Sequence, residues 1–150
     1  MSQYASNTAV SPEKTQMDIR ETLRRYGAER FGIMEESDKA HVMFYYEGLA
    51  IQLTISLPKK EEFCKTETGR DRKSSAVNDA YHQAVRQRWR ALLLAIKAKL
   101  EAIECGISTI EKEFLAFVML PDGVSLGDRL IPEVKKIAGT GKMPKLLLGV

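Results

Sequence analysis

Cysteine is scarce in this chain: Cys64 and Cys105 are the only two in 150 residues. Two thiols do not build the disulfide framework of a small secreted domain, so packing alone must hold the core. Long apolar runs are also missing. The longest, Ala91 to Ile96, falls far short of the about 20 residues that cross a bilayer. Residues 1–10 carry neither a basic start nor an apolar stretch, so no signal peptide is expected. Reduced thiols without a leader or membrane segment predict a cytoplasmic protein. Histidine is limited to His41 and His82, and neither stands in a metal-ligand spacing. Zinc needs three or four such ligands, so no metal and no cofactor is expected.

The composition that remains is that of one globular domain. Hydrophobic residues make up 44% and charged ones 29%, too apolar for disorder. Net charge is only +3, but it is unevenly placed. From Cys64 to Lys99 nine basic residues face three acidic ones, so this segment carries +6 and the rest −3. A polyanion is drawn to such a segment, and an oligomer multiplies the field.

Local signals give the order of elements. Residues 1–11 read as a flexible N-terminal tail, and 12–150 as a single domain. Ser11-Pro12-Glu13 opens a helix with a hydroxyl cap, a proline at the first position and an early acid. Ile19, Leu23 and Tyr26 form its apolar stripe, and Gly27 ends it. Three strand-like runs follow, Arg30–Glu35, Ala40–Tyr46 and Leu49–Leu57, separated by Ser37-Asp38 and Glu47-Gly48. Leu49, Ile51, Leu53, Ile55 and Leu57 alternate with polar or small residues, as one buried sheet face requires. Connections this short favour an antiparallel meander. Its second face, with Arg30, His41, Tyr45, Gln52 and Thr54, is semi-polar.

Residues 59–76 show no period and read as a mobile basic loop. From Asn78 to Cys105, Tyr81, Val85, Trp89, Leu92, Ile96, Leu100 and Ile103 recur at helical spacing. A helix of about 40 Å outruns a three-stranded sheet, so its stripe needs another helix or a second copy. Ser108 to Glu111 reads as a capping box for a short helix to about Val118, although Phe114–Leu120 also suits a buried strand. Pro121-Asp122-Gly123 is a turn. Ser125 and Asp128 cap a last helix bearing Leu126, Leu130, Val134 and Ile137, which Pro132 is expected to kink or split. The tail from Gly139 reads as loose, with Leu146 to Leu148 available to dock. The expected fold is α+β: a three-stranded antiparallel meander packed on a long central helix plus shorter helices.

Chemistry is sparsely signalled. Cys64 in its basic loop could have a lowered thiol pKa, but a lone thiol is usually incidental. Neighbouring acids such as Glu61-Glu62 point apart and read as solvated surface. Gly139-Thr140-Gly141-Lys142 lacks the spacer and the hydroxyl of a phosphate loop. The basic segment alone carries a mechanism. Arg70, Arg72 and Lys73 in the loop, with Arg86, Arg88, Arg90 and Lys97 on the helix, can engage phosphates. Tyr81 and Tyr45 are the candidate base-stacking residues. The opposing reading is a solvated face whose arginines pair with acids. Trp89 lies on the apolar stripe and reads as core.

The run from Arg86 to Glu101, with Glu113–Phe117 and Leu120-Pro121-Asp122-Gly123, resembles small uncharacterised proteins of bacteriophages and prophages. The likeness covers about residues 12–148 and carries no activity and no functional residue. It implies a phage accessory protein inside a bacterial cell, a class that handles DNA or blocks a host factor. The sequence thus predicts a non-enzymatic nucleic-acid-binding protein, preferring single strands, as a homodimer or larger homo-oligomer. Two alternatives stand: an inhibitor that binds a host protein through an exposed apolar or acidic patch, and a small enzyme acting on a phosphorylated substrate through Cys64, His41 or His82.

Overall fold

The computed structural model describes residues 5–142. Helix α1 (Pro12–Arg25) is followed by strands β1 (Glu29–Glu35), β2 (Lys39–Tyr46) and β3 (Leu49–Ser56), then α2 (Ser74–Glu104), α3 (Ile110–Phe114) and α4 (Leu126–Thr140). Single 3-10 turns lie at Lys60–Phe63 and Leu115–Phe117. The strands pair in the order β1-β2-β3, all antiparallel. The architecture is therefore the α+β meander that the alternation in β3 required.

The meander is built by its turns. Glu47 and Gly48 both adopt positive φ, 48° and 80°, which matches the twist of a two-residue hairpin. Tyr46 and Leu49 pair directly across it. On β1 the register slips between Glu29 and Gly32, and Arg30 in this bulge has φ 51°. The outer edge of β3 is partly covered: Met119 donates its N–H to the Ala50 carbonyl at 2.8 Å, and Val118 bridges Ile51.

Val42, Phe44, Ile51 and Leu53 bury the inner sheet face against α2. From α2 come Trp89, Leu92, Leu93, Ile96 and Leu100, and from α1 Ile19 and Leu23. Phe114 of α3 closes one end, its ring set edge-on to Phe44 at 5.7 Å. At about 46 Å, α2 does outrun the sheet. The remainder of its stripe is covered by α1, by the 3-10 turn at Lys60–Phe63 and by α3, all within the chain. Residues 5–10 also lie along α2. Ala5 is buried, and the Gln83 amide donates to the Ser6 and Thr8 carbonyls at 2.9 and 3.0 Å.

Several boundaries differ from the sequence reading, each for a local reason. Helix α2 begins at Ser74 rather than Asn78, because Ser74 to Val77 have no partner strand and simply extend the helix. Within 59–76 the chain makes a 3-10 turn and a narrow loop closed by a Lys65–Asp71 bridge. Thr109 and not Ser108 caps α3, accepting the Lys112 N–H, and the helix stops at Phe114. The strand alternative survives only at Val118 and Met119. Pro132 does not split α4, which runs unbroken to Thr140 before Gly141 ends it at φ 65°. A proline removes one backbone bond, which the flanking turns tolerate. Gly139 and Thr140 are thus helical; Leu146 to Leu148 lie outside the described residues.

One defect stands out in α1. Thr15 is fully buried, yet its hydroxyl has no hydrogen-bond partner among the described residues. Removing an unsatisfied polar group by an isosteric apolar one is neutral or stabilising. Thr15→Val is expected to leave stability unchanged or raise it by about 1 kcal/mol in urea unfolding. A loss of that size would mean the hydroxyl has a partner.

Candidate nucleic-acid interface

The candidate contacts fall into three groups that the fold keeps apart. The first lies at the start of α2. After the 3-10 turn, Arg72 donates its N–H to the Cys64 carbonyl and Thr66 to that of Arg70, both at 2.8 Å. Gly69, at φ 79°, turns the tip, which leaves Arg70 and Lys73 exposed and Arg72 half-buried. No ion pair engages Lys65, Arg70, Arg72 or Lys73 among the described residues. Lys73 occupies the N-cap position of α2, with no side-chain cap bond and no acid in the first turn. The positive end of the helix and these cations therefore act in the same direction. Glu61, Glu62, Glu67 and Asp71 in the same stretch reduce the excess to two charges across residues 59–76.

The second group runs along the α1 side of α2, and here the cations are held. Arg86 donates through Nε and Nη2 to the Gln83 side-chain oxygen Oε1, at 3.2 and 2.6 Å. Arg90 lies 3.8 Å from the Asp18 carboxylate, which also takes Lys14 at 2.7 Å. The Lys14 bond, with Arg90 and Lys97 nearby, holds the Asp18 carboxyl below its ordinary range despite some desolvation. One acid thus serves Lys14, Arg90 and Lys97, so this face keeps positive charge while its arginines are positioned. Arg88 turns the other way and stays exposed, lining a shallow hollow of about 360 Å³ with Pro58, Glu62 and Phe63.

The two aromatic candidates do not share this surface. Tyr81 is half-buried, edge-on to Phe63 at 6.5 Å, with the Lys60 ammonium 5.5 Å from its ring centre. Tyr45 belongs to the third group, on the sheet face turned away from α2, because it alternates with buried Phe44. The Arg30 guanidinium covers its ring at 5.0 Å. The semi-polar sheet face and the basic loop are thus separated by the sheet itself.

That sheet face holds a different arrangement. His41, nearly buried, sets Nδ1 2.8 Å from the Thr54 hydroxyl and 3.2 Å from the Gln52 amide. Its Nε2 lies 3.1 Å from a Glu36 carboxylate oxygen. The Glu36 carboxyl is held below its usual value of 4.5, first by the bond from His41 and then by Lys39. A carboxyl with a depressed folded pKa stabilises the fold above its unfolded pKa, and that contribution is lost as pH falls through the folded value. Glu36→Gln is expected to flatten the fall in stability as pH drops below the ordinary carboxyl value of 4.5, read from urea midpoints. Parallel curves for the two proteins would mean that Glu36 is not coupled to folding. Cys64 and His82 lie on the α2 side and His41 on the opposite one, so the three are not brought together. Among the described residues no three His, Cys, Asp or Glu side chains are grouped to hold a metal ion.

Comparison with known proteins finds no matching family, no similar curated protein and no similar solved structure.

Two features were missed in the sequence. Arg20 and Arg24, one turn apart on α1, join Arg30 around a hollow of about 370 Å³ that also contains Glu29. Their i, i+4 spacing was the available signal. The other is an apolar groove beside α4, invisible in a pattern that reads equally well as core. No described helix is long and apolar enough to cross a membrane.

Proposed function

We propose that the chain binds single-stranded nucleic acid through its phosphate backbone, at the N-terminal end of α2. One observation carries this reading: among the described residues no ion pair engages Lys65, Arg70, Arg72 or Lys73, which lie beside a helix start without a side-chain cap. Guanidinium groups stay charged and engage phosphate oxygens in pairs, so such a cluster suits a polyanion. Arg88 extends the contact along α2, while the tethered Arg86 and Arg90, with the exposed Lys97, add a background field. Tyr81 is the nearer stacking candidate and Tyr45 drops out, since the sheet lies between it and the cluster. A shallow surface of loop and helix start suits an extended strand better than duplex.

The test is fluorescence anisotropy with labelled single-stranded and duplex oligonucleotides across a salt series. Arg70→Ala/Arg72→Ala/Lys73→Ala is expected to weaken single-strand binding at least about tenfold and to reduce the salt slope by about two to three. Arg86→Ala/Arg90→Ala is expected to lose less, because those side chains already have partners. Absence of binding at low salt, or binding indifferent to salt, would end this reading. A protein-binding role is favoured by a separate observation, the apolar groove beside α4.

A further inference from the structure

Helix α4 is amphipathic but barely packed. Gly127 alone of its fifteen residues is buried. It is anchored at its first turn, where Leu126 donates its N–H to the Val118 carbonyl at 2.8 Å. Beyond that turn its apolar side overhangs a groove of about 540 Å³ formed with α3 and the 3-10 turn at Leu115–Phe117. Leu115, Ile131 and Val134 are 49%, 49% and 54% exposed. Helices of this length gain most of their stability from packing an apolar face, and monomeric proteins seldom leave such a patch open.

The charges around the groove narrow the choice of occupant. Lys112 lines it from α3 and Lys135 from α4; both are exposed, and no ion pair engages either among the described residues. No carboxylate lines it. The acids of α4 are already engaged: Glu133 pairs with Lys136 at 2.7 Å, and Asp128 accepts from the Ser125 hydroxyl at 2.8 Å. A second copy related by a two-fold axis would set this face on itself, lysine against lysine with no acid to answer. A nucleic acid would meet an apolar floor. We infer that the groove receives an amphipathic helix of a partner protein, with an apolar ridge flanked on both sides by Glu or Asp.

The test uses the full-length chain and two fluorescein-labelled synthetic helical peptides of about 18 residues, with leucines at i, i+3, i+4 and i+7. One peptide carries glutamates beside the ridge and the other lysines. The glutamate peptide is expected to bind at least about tenfold tighter than the lysine peptide, a 1.4 kcal/mol preference. Lys112→Glu/Lys135→Glu, a surface change that leaves the fold intact by circular dichroism, is expected to reverse that preference. Val134→Asp is expected to abolish binding of both peptides while leaving oligonucleotide affinity unchanged. The inference is overturned if neither peptide binds, or if the charge swap leaves their order unchanged. A dimer in sedimentation equilibrium that Val134→Asp dissociates would assign the groove to a second copy instead. Peptide binding seen only when the chain is cut after Lys142 would assign it to the chain's own last residues.

Discussion

Trp89→Ala is expected to destabilise the protein by about 3–5 kcal/mol. The indole is 1% exposed and sits in the one cluster that joins sheet, α1 and α2. Truncation to alanine removes its apolar burial and leaves a cavity that neighbours fixed on three elements cannot close. Against a total of about 5–15 kcal/mol for a domain, the variant approaches the point where it no longer folds. Trp89 is also the only tryptophan, so the comparison must be read by far-ultraviolet circular dichroism in urea rather than by fluorescence. Leu94→Ala, five residues along but 38% exposed on the outer side of α2, is the control and is expected to change stability by at most about 0.5 kcal/mol. Similar losses for both would contradict the burial of Trp89. Arg86, Arg88 and Arg90 flank Trp89 on the same helix, so the basic surface depends on this anchor for its geometry.

Gly127→Ala and Gly139→Ala are expected to change stability in opposite directions, although both glycines lie in α4. A methyl group on Gly127 would sit 2.6 Å from the Ala116 carbonyl oxygen and 3.0 Å from the Ala116 side chain. Backbone cannot step aside, so α4 must shift or the contact must strain. The cost is about 1–3 kcal/mol, more than the gain in helix propensity of about 1 kcal/mol. At Gly139 nothing lies within 4 Å of the added carbon, and the propensity gain is left unopposed. That variant is expected to be more stable by up to about 1 kcal/mol. Urea midpoints for the two proteins decide the matter, and a shared sign would contradict the close seating of α4 on Ala116. The contact also has a functional side, since Gly127 and Ala116 both line the groove and fix its width.

The fold was largely legible because its signals are local. The alternation in β3, the Glu47-Gly48 turn and the Trp89 stripe each follow from a backbone period or a dihedral demand. Errors gathered where a local signal had two solutions. Ser108 and Thr109 are both competent caps, and in the fold Thr109 takes the role. Pro132 weakens a helix locally, but the turns on either side keep their own bonds. The candidate site was legible as a charge excess and little more. Sequence could not tell that Arg90 would meet Asp18, that Arg86 would lean on Gln83, or that Arg70 and Lys73 would find no ion-pair partner among the described residues. Those outcomes depend on which residues of α1 and of the N-terminal segment come to lie along α2.

By itself the sequence determined the element types, the antiparallel meander, the core stripe of α2 and the concentration of positive charge between Cys64 and Lys99. Each is set by periodicity or by composition along the chain. Only the tertiary structure decided that the sheet separates Tyr45 from the basic loop, that His41 is enclosed by Glu36, Thr54 and Gln52, and that no other described element covers the apolar side of α4 beyond its first turn. Whether a charge is free or a hydrophobic face is buried depends on neighbours distant in sequence. A pattern within one segment specifies which side is apolar, but not what covers it.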